Sequence, residues 1–264
     1  MRADSGAHRI FPRLDADIPR YRGIYKKRMS CDNPIGLFDS GVGGLSVLTE
    51  CVRLMPNERY IYLADRAHMP YGGLSADDIK SAALGCAARL VAMNCKAIAV
   101  ACNTATETAI ADIRRSYPGF TVVGLEPAVK PCGAELCGGY AVALVTPATA
   151  RAPGFKRLMD EYGDRITVAP QPELAAMIER GLGDIGALAP YVESMLDPYR
   201  DAEAVILGCS HYAFIKVLVK DFYGGRIKIY DGACGEAERL KALLEQKKLL
   251  SGRTSVGTVE FFST

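Results

Sequence analysis

The stretch AIAVACNTA at residues 97–105 runs from an apolar segment directly into polar residues. A second stretch, AVILGCSHY at residues 204–212, repeats this pattern 107 positions later. In each, a cysteine is the first residue after the apolar run, at Cys102 and Cys209. Short continuous apolar runs of this kind are typical of strands buried on both faces. We therefore predict two buried strands that end at these cysteines.

Predicted strands and helices alternate outward from these two stretches. The predicted strands cover residues 35–38, 60–64, 97–101, 121–125, 140–145, 165–169, 204–207 and 227–230. Apolar residues at helical spacing lie between them, and Ser75 with Asp78 resembles a capping box that opens one helix. A last helix carries Ala237, Leu240 and Leu244, and we expect it to return to the first half. Alternation of this kind predicts parallel sheets with right-handed crossovers.

The offset of 107 residues recurs beyond the two cysteines. It maps Asp39 on Thr146, Gly72 on Glu179, and the strand at Thr121 on the strand near residue 228, without a gap. Several matches in one register indicate duplication of an α/β unit. The predicted fold is α/β, with two similar pseudo-symmetric domains, each a mainly parallel sheet flanked by helices, and an active site in the cleft between them. The first domain takes residues 33–128 plus 231–264, and the second takes 129–230.

Composition limits the classes of protein that fit. The chain has 264 residues, 49% hydrophobic, with a net charge of +2, which favours neither a nucleic-acid nor a membrane partner. No apolar run approaches a bilayer span, and the first residues lack a hydrophobic signal region. Nine cysteines, an odd number, fit free thiols in a cytoplasmic protein better than disulfides. Residues 1–32 are basic and predicted to be a disordered extension, or the true start is at Met29. The alternative is a docking arm or regulatory segment.

The predicted strand ends place polar side chains at one edge of each sheet, where ligands bind in open α/β folds. If the two halves face each other, Cys102 and Cys209 meet across one cleft, each near a helix N-terminus that lowers a thiol pKa. Racemisation needs two like groups on opposite faces of Cα, one as base and one as acid. The turn at residues 39–44 is expected to offer backbone N–H groups to a substrate carboxylate, while Asp39 faces the ammonium or Cys102.

The glycine-rich turn at residues 39–44 lacks the features of two common cofactor-binding loops. It has no Lys-Ser or Lys-Thr after it, so it is not a phosphate-binding loop. It lacks an acidic ribose partner at the expected spacing, so a dinucleotide site is not predicted either. The turn therefore predicts neither of these cofactors, and we expect no metal, since a bound zinc would remove the free thiols that proton transfer needs.

Five blocks together resemble bacterial glutamate racemases of the aspartate/glutamate racemase superfamily, over residues 33–245. The blocks are IGLFDSGVGGL at 35–45, PYG at 70–72, ACNTA at 101–105, EPA at 126–128 and GCSHY at 208–212. The resemblance implies cofactor-free interconversion of L- and D-glutamate, with D-glutamate supplied to peptidoglycan synthesis, and a homodimer. It implies Cys102 and Cys209 as the acid/base pair, Asp39 supporting Cys102, and His211 with Glu179 supporting Cys209. The implied substrate-binding residues are Asp39, Ser40, Tyr71, Gly72, Asn103, Thr104, Thr146, Thr149, Ser210 and His211.

Departures and alternatives remain open at this point. The family usually has Thr where this chain has Ser210, which keeps the hydroxyl. Sister activities with the same two-cysteine logic are aspartate or hydantoin racemase and a maleate-type isomerase. A thiol hydrolase would use Cys209 and His211 alone. A metal site on Cys102, Cys209 and His211, or a non-catalytic amino-acid sensor, are the other readings.

Overall fold

The computed structural model describes residues 29–264, and the predictions for residues 1–28 lie outside the described residues. Two parallel sheets, each flanked by helices, make up the described chain, so the predicted α/β class is confirmed. We call the five-stranded sheet with its helices the first half, and the four-stranded sheet with its helices the second half. The domain limits at residues 128 and 230 stay a prediction.

The first sheet has the strand order β4-β3-β1-β2-β9, and all neighbours pair in parallel. Its strands are β1 (Ile35–Asp39), β2 (Tyr60–Ala64), β3 (Ala97–Val100), β4 (Thr121–Gly124) and β9 (Val259–Ser263). The first four agree with the predicted strands within one residue. β9 was not predicted, and it extends the sheet beside β2.

The second sheet has the order β6-β5-β7-β8, again all parallel. Its strands are β5 (Ala141–Val145), β6 (Ile166–Pro170), β7 (Ala204–Gly208) and β8 (Lys228–Asp231). Read from the other edge, this order repeats that of β4-β3-β1-β2 in the first sheet. The shared strand order confirms the predicted similarity of the two halves.

The register of the repeat is less uniform than predicted. β7 and β8 begin 107 residues after β3 and β4, but β5 and β6 begin only 106 residues after β1 and β2. The prediction that no gap is needed is therefore wrong by one residue. Asp39 is the last residue of β1, whereas Thr146 follows β5, so Thr146 corresponds to Ser40 rather than to Asp39.

Ten α-helices lie within the described residues and cover the sheets. They are α1 (Leu45–Leu54), α2 (Ala76–Ala92), α3 (Asn103–Ser116), α4 (Val129–Glu135), α5 (Pro147–Arg151), α6 (Pro153–Tyr162), α7 (Leu174–Arg180), α8 (Ala189–Leu196), α9 (Lys216–Phe222) and α10 (Ala233–Gln246). The Ser75 side chain accepts a hydrogen bond from the Asp78 backbone N–H and caps α2, as the sequence predicted. Short 3-10 turns cover Arg66–His68, Tyr71–Gly73, Ile185–Leu188, Asp197–Tyr199 and Ser210–Ile215.

α10 packs on the first sheet although it follows the last strand of the second. Its Ala237, Leu240 and Leu244 are fully buried in one cluster with Val47 and Leu48 of α1. The chain thus crosses between the halves twice, once after β4 and once after β8. These two crossings hold both sheets beside the same cleft.

Candidate active site

The carboxyl ends of β1, β3, β5 and β7 bring polar residues to the cleft between the halves. Ser40 follows β1, Thr146 follows β5, and Cys209 follows β7 directly. Cys102 lies one residue beyond Ala101, the residue after β3. Because strands in each sheet are parallel, all four residues lie at the same edge.

A small enclosed cavity lies at this edge. Its lining residues come from both halves and include both cysteines: Ser40, Met69, Pro70, Tyr71, Gly72, Cys102, Thr104, Thr146, Ala175, Cys209, Ser210 and His211. Four residues that the sequence predicted for the site, Asp39, Asn103, Thr149 and Glu179, lie outside this lining. Within the part of the chain that the structure describes, the lining contains no Lys or Arg, so hydroxyl, thiol, imidazole and backbone groups provide its polar contacts.

Cys102 is the N-cap residue of α3 and is 4% exposed. Burial raises the pKa of its thiol well above the ordinary value, and the neighbouring Asp39 carboxylate raises it further. Backbone N–H groups of Ala105 and Ser40 oppose this rise without cancelling it. The prediction that the helix N-terminus lowers the thiol pKa is therefore wrong for Cys102, because burial and a nearby anion outweigh the helix.

Cys209 has a different set of neighbours. Its Sγ lies 4.0 Å from His211 Nδ1, and His211 Nε2 lies 2.7 Å from Glu179 Oε2. A 3-10 turn, Ser210–Ile215, follows this cysteine before α9 begins, where an α-helix starts at once after Cys102. The second thiol therefore begins a buried thiol–imidazole–carboxylate chain.

The pKa values of this chain favour a charged pair. Burial alone would lower the pKa of His211, but its contacts with Cys209 and Glu179, together with the Asp39 carboxylate, raise it well above the ordinary value. Burial would raise the pKa of Glu179, but the bonds from His211 and from the Val42 N–H lower it on balance. We conclude that an imidazolium–carboxylate pair lies beside Cys209.

The glycine-rich turn after β1 joins the two halves. Asp39 is fully buried; its carboxylate accepts the Gly41 N–H at 3.0 Å and the Ser210 hydroxyl at 3.1 Å. The Val42 N–H donates to Glu179 Oε2 at 3.2 Å. The prediction that this turn offers its N–H groups to a substrate carboxylate is therefore wrong for Gly41 and Val42, since carboxylates of the protein occupy both.

One glycine of this turn is fixed by close approach between the halves. A Cβ at Gly43 would lie 2.4 Å from Ser210 Oγ and 2.6 Å from the His211 backbone N. Any larger residue here would push the turn away from the Cys209 side of the cleft.

Three threonine hydroxyls connect the halves on another side of the cavity. Thr104 Oγ1 lies 3.0 Å from both Thr146 Oγ1 and Thr149 Oγ1, and Thr146 Oγ1 lies 3.0 Å from Thr149 Oγ1. Thr149 is fully buried behind the other two, which line the cavity. Since hydroxyls reorient freely, this triangle can donate to or accept from a ligand.

Asn103 keeps one open polar group. Its amide nitrogen donates to the Leu125 carbonyl at 2.9 Å, while its Oδ1 is buried without a partner among the described residues. A buried acceptor without a donor is costly, and a ligand N–H would satisfy it.

Tyr71 and Gly72 lie on the wall that faces the second half. A Cβ at Gly72 would lie 2.9 Å from the Thr146 Cβ, so this glycine permits close approach. The sequence analysis missed Met69, Pro70 and Ala175 in the lining, and also Asp65, which binds the Tyr71 hydroxyl. Asp65 comes directly after β2, so the rule that found the other strand ends could have found it.

Between residues 29 and 264, no group of three or more His, Cys, Asp or Glu side chains has an arrangement that could hold a metal ion. None of the helices in the same range is both long enough and apolar enough to span a bilayer.

A duplicated parallel α/β fold with two thiols on one interdomain cavity defines a narrow class of proteins. The chain belongs to the Asp/Glu/Hydantoin racemase family, whose model matches residues 35–233. A glutamate racemase from Clostridium perfringens is 38% identical over 235 residues, which are 88% of this chain and 90% of the relative.

Solved structures agree with this family. The structure of glutamate racemase from Thermus thermophilus with β-chloro-D-alanine has a TM-score of 0.74 at 32% identity, covering 89% of each chain. That of Francisella tularensis glutamate racemase with D-glutamate has a TM-score of 0.75 at 29% identity, also covering 89% of each chain.

Proposed function

We propose that this protein is a glutamate racemase that interconverts L- and D-glutamate without a cofactor, with Cys102 and Cys209 as the two acid/base groups. The observation that carries the proposal is that the two cysteines, one from each half, line a single cavity. The similarity to glutamate racemases over most of the chain supports glutamate as the substrate.

The reaction removes the proton from one face of Cα and delivers another proton to the opposite face. One sulfur, as thiolate, takes the proton from Cα, and the electron pair left on Cα is delocalised into the α-carboxylate. The other sulfur, as thiol, delivers its proton to the opposite face of Cα. The inverted amino acid leaves, and the two sulfurs have exchanged protonation states, ready for the reverse reaction.

The two sulfurs suit complementary starting states. The raised pKa of Cys102 keeps that thiol protonated, so it is the acid in the resting protein. The imidazolium of His211, paired with Glu179, stabilises negative charge on Cys209 and suits it as the base. Asp39 acts on Cys102 through its charge and holds Ser210 by a hydrogen bond.

The remaining polar groups are proposed to hold the substrate. Asn103 lies outside the lining but between the lining residues Cys102 and Thr104, and its buried, unpaired Oδ1 suits the substrate ammonium group as an acceptor. Hydroxyls of Ser40, Thr104, Thr146 and Ser210 suit the carboxylates as donors, with Thr149 behind them and the wall of Tyr71 and Gly72 beside them. Because the lining has no Lys or Arg among the described residues, these neutral donors and the imidazolium of His211 carry the recognition of both carboxylates.

The protein's setting is also part of the proposal. We propose a cytoplasmic homodimer that supplies D-glutamate for peptidoglycan synthesis, on the strength of family membership. Light scattering on the purified protein would return twice 28.4 kDa for a dimer. A mass of one chain across the micromolar range would overturn this part alone.

The test of the activity uses L-glutamate in D2O without added cofactor. Racemisation followed by circular dichroism, with deuterium entering Cα by NMR, is the expected result. Exchange with L-aspartate but not with glutamate would overturn the substrate and keep the two-thiol mechanism. No exchange with either amino acid would overturn the proposed function.

A further inference from the structure

Asp65 is a buried carboxylate at the same sheet edge as the reacting groups. It follows β2 directly, is 1% exposed, and its backbone N–H donates to the Asp39 carbonyl at 2.8 Å. Its carboxylate accepts the Tyr71 hydroxyl at 2.5 Å and the Thr264 hydroxyl at 2.8 Å, and lies 2.9 Å from His68 Nδ1. The carboxylate is thus fully engaged by protein groups and does not line the cavity.

The Tyr71 contact links Asp65 to the cavity wall. Tyr71 is 1% exposed, and burial with nearby Cys86 and Asp65 raises the pKa of its hydroxyl, so the group stays a donor. Tyr71 and Gly72 line the cavity opposite Thr146 of the second half. Whatever fixes the Tyr71 hydroxyl therefore fixes how closely this wall approaches the substrate.

The far side of Asp65 is held by Thr264, the residue after β9. The Thr264 hydroxyl accepts the Ala67 N–H at 2.9 Å and donates its proton to Asp65 Oδ1. The Thr264 N–H donates to the Ala64 carbonyl at 3.1 Å, continuing the β2–β9 pairing. The strand that the sequence did not predict thus reaches the cavity wall through two hydrogen bonds.

We propose that Asp65, backed by the Thr264 hydroxyl, is a positioning residue that sets the wall of Tyr71 and Gly72 and thereby the affinity for the amino-acid substrate. The proposal rests on the proposed function for the identity of that substrate. Asp65 is not in contact with the cavity, so it acts through Tyr71. Its loss therefore changes substrate binding more than the chemical step.

The first test replaces each end of the contact. In Asp65→Asn the charge is lost and one of the two hydroxyls meets an amide NH2 in place of an acceptor oxygen, and in Tyr71→Phe the donor is removed. We expect each to raise KM for L-glutamate about tenfold with kcat within about threefold, and the double variant to match the singles rather than multiply them. Unchanged KM, a loss confined to kcat, or multiplicative effects would overturn the proposal.

The second test remains valid if Asp65→Asn fails to fold. Thr264→Val keeps the side-chain shape and removes the hydroxyl; we expect KM to rise about threefold and Thr264→Ser to restore it. Ser263→Ala is the matched control, because among the described residues the Ser263 hydroxyl donates to the Thr264 carbonyl and not to Asp65. Equal KM in Thr264→Val and wild type, or no restoration by serine, would overturn the role of Thr264.

A binding measurement separates this proposal from the proposed function. The rise in melting temperature on adding D-glutamate reports affinity without turnover. If the wild type binds but does not racemise, the proposed function fails, and a smaller rise in Asp65→Asn than in wild type still supports the positioning role. If the wild type neither binds nor racemises glutamate, both proposals are overturned.

Discussion

The two halves present the same atom, a cysteine sulfur after a central strand, in opposite electrostatic surroundings. Cys102 in the first half has a raised pKa, to which the Asp39 carboxylate contributes more than any other charge. Cys209 in the second half has the imidazole of His211, itself held by Glu179. Strand order and spacing are shared, but these partners are not.

The repeated strands and the residues that differ between the two halves therefore have separate roles. The repeated strands bring two sulfurs to one cavity, which proton transfer on both faces of Cα requires. In the proposed mechanism, the residues without a counterpart set which sulfur starts as acid. Asp39 ends β1, where the second half has Val145, and His211 lies where the first half has Thr104. Symmetric placement with asymmetric charge is the arrangement that a one-proton relay needs.

The largest expected effect comes from removing either sulfur. Cys102→Ser and Cys209→Ser each lower kcat for racemisation by about a thousandfold, because a serine hydroxyl is far too weak an acid and base for the transfer. In D2O, each variant keeps one base and is expected to exchange the Cα proton of only one enantiomer. The two variants are expected to act on opposite enantiomers. Circular dichroism measures inversion, and NMR measures exchange.

The control for this pair is Cys137→Ser, an exposed thiol of the second half. It should match the wild type. If Cys102→Ser stays active and only Cys209 is needed, the comparison between the halves breaks. A hydrolase that uses Cys209 with His211 and forms a thioester would then account for the site better.

Much of the fold could be predicted because its strands are short apolar runs at regular spacing. The eight strands of the repeat, the capped start of α2 and the duplicated order follow from local patterns. β9 could not be predicted in this way, because Val259–Ser263 is mostly exposed and its only signal is pairing with β2. The one-residue shift of the repeat also escaped, since it depends on register between strands.

The residues that form the site were easier to predict than their pKa values and hydrogen-bond partners. The strand-end rule places Cys102, Cys209, Ser40 and Thr146 at one edge from sequence alone. The raised pKa of Cys102 depends on burial and on the distance to Asp39, which only the packed structure fixes. The use of the Val42 N–H by Glu179 likewise depends on contact between the halves.

The next effect sharpens the Cys209 side of the comparison. Glu179→Gln removes a contact that raises the pKa of His211, so that pKa falls. Because the imidazolium is the form that supports Cys209, activity is lost as pH rises through the pKa of His211. The alkaline limb of the kcat profile should therefore move to lower pH, with kcat at neutral pH reduced about tenfold.

The matched control is Glu173→Gln, an exposed carboxylate at the N-cap of the same helix, α7. Its pH profile should follow that of the wild type. A Glu179→Gln profile with an unmoved alkaline limb would show that His211 does not titrate with the reaction. The two halves would then differ in structure but not in how they use charge.

The smallest effect concerns stability, at the position five residues after each cysteine. The second half has Phe214 there, packed on its core, and the first half has Glu107. Glu107 Oε2 lies against Gly154 of α6, where any Cβ would clash with it. The other carboxylate oxygen, Glu107 Oε1, is buried without a partner among the described residues. Burial, with nearby Glu126, raises the pKa of Glu107 to about 8.

The sign of the pH dependence follows from the raised pKa. Between pH 4.5, the ordinary pKa of a glutamate, and about pH 8, the folded protein binds more protons at Glu107 than the unfolded chain does. The free energy of unfolding therefore falls as pH rises through this window. Glu107→Gln, which resembles the protonated carboxyl, should leave stability at pH 5 nearly unchanged. It should raise stability at pH 8.5 by on the order of 1 kcal/mol, read from urea midpoints.

Glu126→Gln lowers the pKa of Glu107 and should give a smaller gain of the same sign. Equal stability of Glu107→Gln and wild type at pH 8.5 would show that the carboxylate is accommodated where α3 meets α6. The first half would then tolerate a charge at the position where the second half places a phenyl ring.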